Sequence, residues 1–171
     1  EVLPYFLLSE NNERIHDEFH GNNGPLSVCD LRTDNPVHER YKKATEQAGF
    51  KWNNDFNGAD QEGIGLYQVT QKDGQRCSAA QAYVLPVMAQ RPNLTVEIKA
   101  QALKLEFDGK RAVAVEILQN GKRRVIRANK EIILAAGAFQ TPQLLMLSGV
   151  GPATELQKHG IPVLKDLPGV G

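Results

Sequence analysis

The strongest pattern along the chain is a series of apolar runs separated by turn residues. Asp108-Gly109 and Asn120-Gly121 stand between such runs, and pairs of this type are the strongest short-range hairpin signal in a sequence. The pattern predicts an antiparallel three-strand excursion, flanked on both sides by a strand that joins a larger sheet. The five predicted strands are residues 94–98, 102–107, 112–118, 123–127 and 131–137.

Two stretches before residue 50 carry helical signals. The apolar residues 2–8 end at a polar cluster and predict the tail of a helix. In NPVHERYKKATEQAGF, Asn35 is placed to cap a helix, Pro36 suits its first turn and Gly49 ends it. The helical period then gives an apolar face, which consists of Val37, Tyr41, Ala44 and Ala48.

The region between these helices and the strand-rich half is less regular. Residues 25–32 and 66–71 predict strands, and residues 53–65, rich in Asn, Asp and Gly, predict a long loop between them. Ser78 is placed to cap a further helix, which Pro86 bends or interrupts.

The stretch LAAGAFQTPQLLMLSGVG predicts a strand that arrives at a tight turn and continues as a short helix. Thr141 can cap this helix by accepting from a backbone amide, Pro142 suits its first position, and Gly149 ends it in the left-handed conformation. Residues 152–159 then predict a second short helix, and residues 161–165 predict a last strand.

The charge balance excludes some partners. Lys plus Arg and Asp plus Glu both number 20, so no net field attracts the chain to nucleic acid or to anionic lipid. The apolar runs are far shorter than the roughly 20 residues that a membrane-spanning helix needs. No signal peptide opens the sequence, and Cys29 and Cys77 are widely spaced, which suits a reducing compartment. We expect a cytoplasmic location without a nucleic-acid partner, while peripheral membrane attachment of a full-length protein stays open.

Several familiar motifs are incomplete. Three Gly-x-Gly pairs each lack the third glycine of a dinucleotide fingerprint and are interpreted as turns. His16 and His20 have the spacing of zinc ligands on a helix, but Gly21 indicates a loop and the sequence places no third ligand nearby. No metal site is predicted. No serine stands in a nucleophile elbow, so hydrolysis has no support.

Four motifs in register resemble one enzyme family. The stretch GAFQTPQLLMLSGVG, which begins at Gly137, is similar at every fixed position to the second signature of the glucose-methanol-choline (GMC) oxidoreductases. Three earlier stretches resemble the same family in the same order: DFNGADQEGIGLYQVT, GQRCSAAQAYVLP and RPNLTVEIKAQALKLEFDGKRAVAVE. The resemblance covers essentially the whole chain, and several motifs in order arise by chance far less often than one.

The resemblance implies a fold and a cofactor. GMC oxidoreductases oxidise alcohols with FAD, and their FAD domain is a doubly wound α/β fold interleaved with segments of a substrate domain. By position, residues 1–75 resemble part of the substrate-binding domain, and residues 76–171 resemble the middle segment of the FAD-binding domain. We therefore expect a mixed α/β chain, in which an antiparallel three-strand excursion accompanies the doubly wound fold.

The resemblance also assigns cofactor contacts. In the family, the backbone of one residue, usually Val, reads the adenine end of FAD, and this residue aligns with Ala102. Ala136 and Gly137 would pass close to the cofactor, because small residues let the main chain approach a flat ligand. Thr141 and Pro142 would start the helix that fixes this turn.

The expected substrate is a small alcohol. Residues 56–80 are more similar to the bacterial alcohol dehydrogenases and choline dehydrogenases of the family than to its fungal sugar oxidases. Gln68 and Thr70 share one face of the strand predicted there, and this face lines the substrate cavity if the opposite face, with Tyr67, packs in the core. The alternative is that Gln68 and Thr70 face water.

Two parts that catalysis needs are missing from residues 1–171. The amino-terminal fingerprint that holds the pyrophosphate is absent, and so are the His and the second His or Asn that act on the substrate hydroxyl before hydride transfer to the flavin. The chain thus resembles the middle third of an enzyme, whose remaining segments are its expected partners. We expect the chain alone to be inactive and to bind FAD weakly at best.

Two alternative functions are open. The first is a non-enzymatic binding module that keeps a GMC-like core, and nothing within the chain excludes it. The second is an FAD enzyme of the amine oxidase or disulfide reductase type, against which the Thr-Pro-x-Leu-Leu and Ser-Gly-Val-Gly spacing argues.

Overall fold

The computed structural model describes residues 1–33 and 35–171. The chain divides into two compact units, Glu1–Thr95 and Val96–Gly171. The assignment of residues 1–75 to a substrate-binding domain and of residues 76–171 to an FAD-binding domain stays a prediction. The structure places the helical turns that follow residue 76 with the first unit, where they contact a strand of that unit.

The first unit contains short helices and short strands. Its helices are α1 (Leu3–Ser9), α2 (Pro36–Gln47), a π-helix (Ala80–Val84) and α3 (Leu85–Met88). Its strands are β1 (Glu10–Asn12), β2 (Leu26–Val28), β3 (Gln71–Lys72) and β4 (Gln75–Arg76). β1 and β2 pair in parallel, whereas β3 and β4 form an antiparallel hairpin. The helix tail predicted at residues 2–8 is confirmed by α1.

The helix α2 begins and ends as the sequence predicts. The Asn35 side chain accepts a hydrogen bond from the backbone N–H of Val37 at 3.0 Å, Pro36 lies in the first turn, and Gly49 has a φ of +85°. The predicted apolar face, however, is exposed: Val37 and Tyr41 are 58% and 55% accessible. Thr45 is the residue that α2 buries.

The strand predicted at residues 66–71 is mostly wrong. Within it, Val69 pairs with Cys29 through an isolated bridge, and only Gln71 belongs to a strand. Tyr67 is 67% exposed, so the predicted inward face is not buried. The physical reason is the lack of a partner: apart from the single bridge to Cys29, no described strand pairs with residues 66–70.

The second unit contains the predicted three-stranded antiparallel sheet, in the order β5 (Ala100–Asp108), β6 (Arg111–Gln119) and β7 (Lys122–Arg127). Asn120 and Gly121 have φ values of +52° and +74°, as a two-residue type I′ turn requires. In the first hairpin, Asp108 pairs with Arg111, so the loop is Gly109 and Lys110 rather than Asp108-Gly109.

The two flanking strands predicted at residues 94–98 and 131–137 are not formed among the described residues. Ile98 and Ile133 are 70% and 79% exposed. A strand exists only when a neighbour supplies its hydrogen bonds, and these two segments have no such neighbour in the described part of the chain. The larger sheet that they were expected to join is therefore not assembled from these residues.

The helix after the LAAG segment begins earlier than predicted. It is α4 (Gly137–Leu147), so Thr141 is not its N-cap and Pro142 lies inside it. The left-handed φ of +88° at Gly137 makes the turn into the helix. The helix therefore starts more than one helical turn earlier in the sequence than predicted. Gly149, with a φ of +87°, ends the segment as predicted.

The end of the chain packs around one leucine. The strands β8 (Val150–Gly151) and β9 (Lys165–Asp166) pair in parallel, and the chain between them contains α5 (Ala153–Lys158). Leu156 of α5 is 1% exposed. The second short helix is confirmed, but the last strand begins at Lys165 rather than spanning residues 161–165. No described helix is long and apolar enough to cross a membrane.

Candidate functional site

A cavity of about 460 Å³ lies in the second unit between the start of β5 and α4. Ala102 and Ala136, two residues that the sequence analysis assigned to a cofactor from distant motifs, both line it. The complete lining consists of Ala100, Gln101, Ala102, Leu103, Ala136, Gln140, Gln143, Leu144 and Leu147. The fold therefore brings the two predicted contact segments to a common site.

The cavity borders a strand edge. β5 is the outer strand of its sheet, so one of its edges carries backbone N–H and C=O groups that β6 does not use. The ladder also contains a bulge, because Ala102 pairs with Ile117 and Lys104 with Glu116, which leaves Leu103 between them without a partner. Backbone groups of this edge are the hydrogen-bonding atoms that the strand can offer to a ligand.

The turn before α4 is held by local interactions. The N–H of Ala136 donates to Oγ1 of Thr141 at 3.0 Å, which ties the turn to the helix that follows. Gly137 has a φ of +88°, and an ideal Cβ built there has no neighbouring heavy atom within 4 Å. The backbone conformation, and not crowding by the described residues, is what favours glycine at this position.

The lining has a uniform chemistry. Every lining residue is alanine, leucine or glutamine, so the walls combine apolar surface with amide donors and acceptors. Ligand pockets for organic groups likewise combine apolar walls with polar groups that fix orientation. The lining has no cationic side chain, so its side chains suit an uncharged ring system, while the N-terminus of α4 at Ala136 also borders the cavity.

The predicted substrate-facing residues lie in the first unit. Gln68 is half-buried, and its amide bonds to two side chains: Nε2 donates to Asp30 at 2.9 Å, and Oε1 accepts from Nδ2 of the buried Asn12 at 2.8 Å. The Thr70 side chain is exposed and makes no hydrogen bond to the described residues, while its carbonyl accepts from the N–H of Cys77. Gln68 thus connects the side chains of Asn12 and Asp30 in one polar network.

An ion pair borders the same network. Nε of Arg14 donates to Oδ2 of Asp30 at 2.6 Å. This hydrogen bond is the main reason that the pKa of Asp30 lies below its ordinary value, and the hydrogen bond from Gln68 acts in the same direction. Both side chains of the pair are about half exposed, so solvent screens their attraction.

Sequence reasoning missed one cluster. The spacing of His16 and His20 suggested zinc ligands, yet His16 donates from Nε2 to the carbonyl of Asn12 and does not join His20. The buried His20 lies instead between Asp17 and Asp55. Asp55 is in the long loop, so helical spacing could not have revealed it; only the tertiary fold brings these three residues together.

Comparison with known proteins identifies the family. A family model described as GMC oxidoreductase matches residues 1–171, and the chain belongs to this family. The resemblance stated from the motifs is therefore confirmed.

The chain is similar to dehydrogenases of alcohols. It is 45% identical over 171 residues to an oxygen-dependent choline dehydrogenase of Brucella ovis, which covers 100% of this chain and 31% of that protein. It is 46% identical over 173 residues to an alcohol dehydrogenase (acceptor) of Pseudomonas putida, with 99% and 31% covered. The chain thus spans about a third of the length of the curated relatives it matches.

A solved structure confirms the fold class. An FAD-dependent oxidoreductase from Chaetomium thermophilum matches 99% of this chain with a TM-score of 0.86 and 29% identity, and the match covers 32% of that protein. The expected mixed α/β fold with an antiparallel three-strand excursion is therefore correct.

Proposed function

We propose that the chain is the central part of an FAD-dependent oxidoreductase that acts on the CH–OH group of choline or another small primary alcohol. The observation that carries the proposal is the cavity between β5 and α4, whose lining includes both Ala102 and Ala136. Membership of the family and the names of the relatives support the same reaction class.

In this proposal the cavity holds the adenine end of FAD. The outer edge of β5 offers backbone hydrogen bonds beside Ala102, and the leucine and alanine side chains offer apolar surface to the face of a ring. Thr141 keeps the turn at Ala136 in place through its hydrogen bond, so that Gly137 stays close to the ligand. When bound, FAD supplies the hydride acceptor for the alcohol.

Gln68 and Thr70 remain the proposed substrate-facing residues. The exposed hydroxyl of Thr70 is available to a ligand, since no described side chain bonds to it. Gln68 contributes by holding the side chains of Asn12 and Asp30 in one arrangement. A cytoplasmic location is also part of the proposal, and it is supported by the two buried cysteines, which are free thiols.

The residues 1–171 alone are expected to be inactive, because the resemblance places the groups that act on the hydroxyl outside them. Their affinity for FAD is expected to be weak. Two backbone hydrogen bonds to adenine contribute at most about 3 kcal/mol together, whereas a millimolar dissociation constant already requires about 4 kcal/mol.

The proposal is tested with the full-length protein. We expect the purified protein to release FAD on denaturation and to reduce a dye acceptor when choline or a short primary alcohol is added. The 171-residue chain, purified in the same way, is the control and is expected to be colourless and inactive. A full-length protein that carries no flavin and oxidises none of these alcohols would contradict the proposal and would favour a binding module.

A further inference from the structure

A buried histidine in the first unit lies between two carboxylates. The His20 side chain is 1% exposed, and its Nδ1 is 2.9 Å from Oδ1 of Asp17. Its other ring nitrogen, Nε2, is 3.4 Å from Oδ1 of Asp55. One ligand atom from each of the three residues lies within 4.8 Å of the others. These residues come from two different loops, which the cluster brings together.

The two ring nitrogens have different surroundings. Asp17 accepts a hydrogen bond from the Nδ1–H group, so in the neutral imidazole Nε2 carries the lone pair. Among the described residues, Nε2 is the buried side-chain polar atom that has no hydrogen-bond partner. An unpartnered buried polar atom is unfavourable unless something binds it. Oδ1 of Asp55 lies 3.4 Å from Nε2 without the geometry of a hydrogen bond.

The distance from Nε2 to Asp55 matches a metal site. Zinc binds histidine nitrogen and carboxylate oxygen at about 2.0–2.2 Å in tetrahedral geometry, which separates two ligand atoms by about 3.4 Å. The observed separation is 3.4 Å. A metal-ligating histidine also commonly donates its other N–H to a carboxylate, which is the position of Asp17 here. The backbone N–H of Asn57 donates to the same Asp55 oxygen and holds it in place.

The site is accessible from one side. A cavity of about 320 Å³ is lined by His20 and also by Asn57 and Gln61, whose side chains carry amide oxygens. The rest of this lining is mostly apolar and does not include Asp17 or Asp55. Water reaches the cluster through these two carboxylates, whose side chains are 45% and 24% exposed. A bound cation would connect the loop that contains His20 with the loop that contains Asp55.

We propose that His20 Nε2 and the Asp55 carboxylate bind a divalent cation of the zinc type, with Asp17 orienting the imidazole ring. The bound cation would join two loops of the first unit. The site does not depend on the proposed alcohol oxidation. The competing arrangement is a His20 ring that contacts both carboxylates directly and binds no metal.

The test is a zinc titration of the full-length protein by calorimetry, after treatment with a chelator. We expect one more zinc site per chain in the unsubstituted protein than in H20Q. The variant H16Q is the matched control, because His16 is an exposed histidine four residues away, and it should bind as the unsubstituted protein does. D17N keeps both ligands and should bind zinc about 10–100-fold more weakly.

If H20Q does not fold, D55N provides the test, because asparagine has nearly the same shape as aspartate and His20 is unchanged. Loss of this zinc site in D55N, with unchanged thermal unfolding of the metal-free protein, supports the proposal. Equal zinc binding by D55N and the unsubstituted protein would overturn it, and so would an unsubstituted protein that binds no zinc.

Discussion

The hydroxyl of Ser148 accepts a hydrogen bond from the backbone N–H of Leu105 at 2.8 Å, and so connects the end of α4 to the outer edge of β5. The same hydroxyl donates to the carbonyl of Leu144 at 2.6 Å. Leu105 is 6% exposed, so its N–H group has little access to water as a substitute partner. One side chain thus joins the two elements that form the walls of the proposed adenine cavity.

The first prediction follows from this contact. S148A leaves the N–H of Leu105 without a partner, and we expect the free energy of unfolding to fall by about 1–3 kcal/mol. T154A is the matched control, because Thr154 is exposed and makes no side-chain hydrogen bond to the described residues; its effect should stay within about 0.5 kcal/mol. Denaturant unfolding measures both, and equal stabilities of the two variants would contradict the assigned role.

The second prediction separates strain from crowding at two left-handed glycines. At Gly149, with a φ of +87°, an added Cβ would lie 2.5 Å from the carbonyl oxygen of Pro162. At Gly160, with a φ of +66°, it would meet no described atom within 4 Å. We expect G160A to cost about 1–2 kcal/mol from the conformation alone, and G149A to cost clearly more. Thermal unfolding of both variants checks the order, and a G149A variant as stable as G160A would show that the loop moves aside.

The third prediction concerns Gln68 and Thr70. Because the Gln68 amide bonds to Asn12 and Asp30, we expect Q68A to lower the free energy of unfolding by about 1–2 kcal/mol. T70A should leave it within about 0.5 kcal/mol, since the Thr70 side chain is exposed.

The same two variants test the substrate-facing assignment. We expect at least one of them to change the ratio of kcat/KM for choline and a short primary alcohol in the full-length protein. An unchanged ratio in both would mean that this face points to water and that Gln68 is purely structural.

The fourth prediction is a pH dependence at Asp30. Its pKa is lowered in the folded state, chiefly by the hydrogen bond from Arg14, so folding favours the ionised form. The resulting stabilisation is fully present above the unfolded-state pKa of about 3.9, and it is lost as the pH falls through the lower folded-state value. We expect D30N to be less stable at neutral pH by about 0.2–1 kcal/mol, as for an exposed pair.

The difference between D30N and the unsubstituted protein should shrink in acid and in high salt. D108N is the control, because the Asp108 side chain makes no ion pair with the described residues. Urea unfolding at neutral and acid pH measures the effect. A stability difference that stays constant on acidification would mean that charge on Asp30 is not its cause.

The fifth prediction tests the cavity. A136L adds a bulky side chain to the wall of the cavity, and we expect FAD affinity of the full-length protein to fall at least about tenfold, which corresponds to about 1.4 kcal/mol. A89L is the control, because Ala89 is exposed and is not among the lining residues. Flavin content and fluorescence titration measure the change. Full flavin retention in A136L would place the adenine elsewhere.

The sequence alone determined the local elements whose signals are local. Asn120-Gly121 specifies a turn because both positions need a positive φ, and Asn35 with Pro36 specifies the start of α2 because a side-chain cap and a missing N–H suit that position. The family also followed from the sequence, because motifs in a fixed order are a property of the chain. The same motifs predict Ala102 and Ala136 as cofactor contacts.

Only the tertiary structure decided which elements find partners. Residues 94–98 have the composition of a strand and form none, because a ladder needs a second chain segment that the pattern cannot supply. The exposed face of α2 has the same explanation, since the helical period groups Val37 with Tyr41 but does not say what covers them. His20 and Asp55 are far apart in sequence and 3.4 Å apart in space, and distances of this kind depend on how loops pack, which no periodicity encodes.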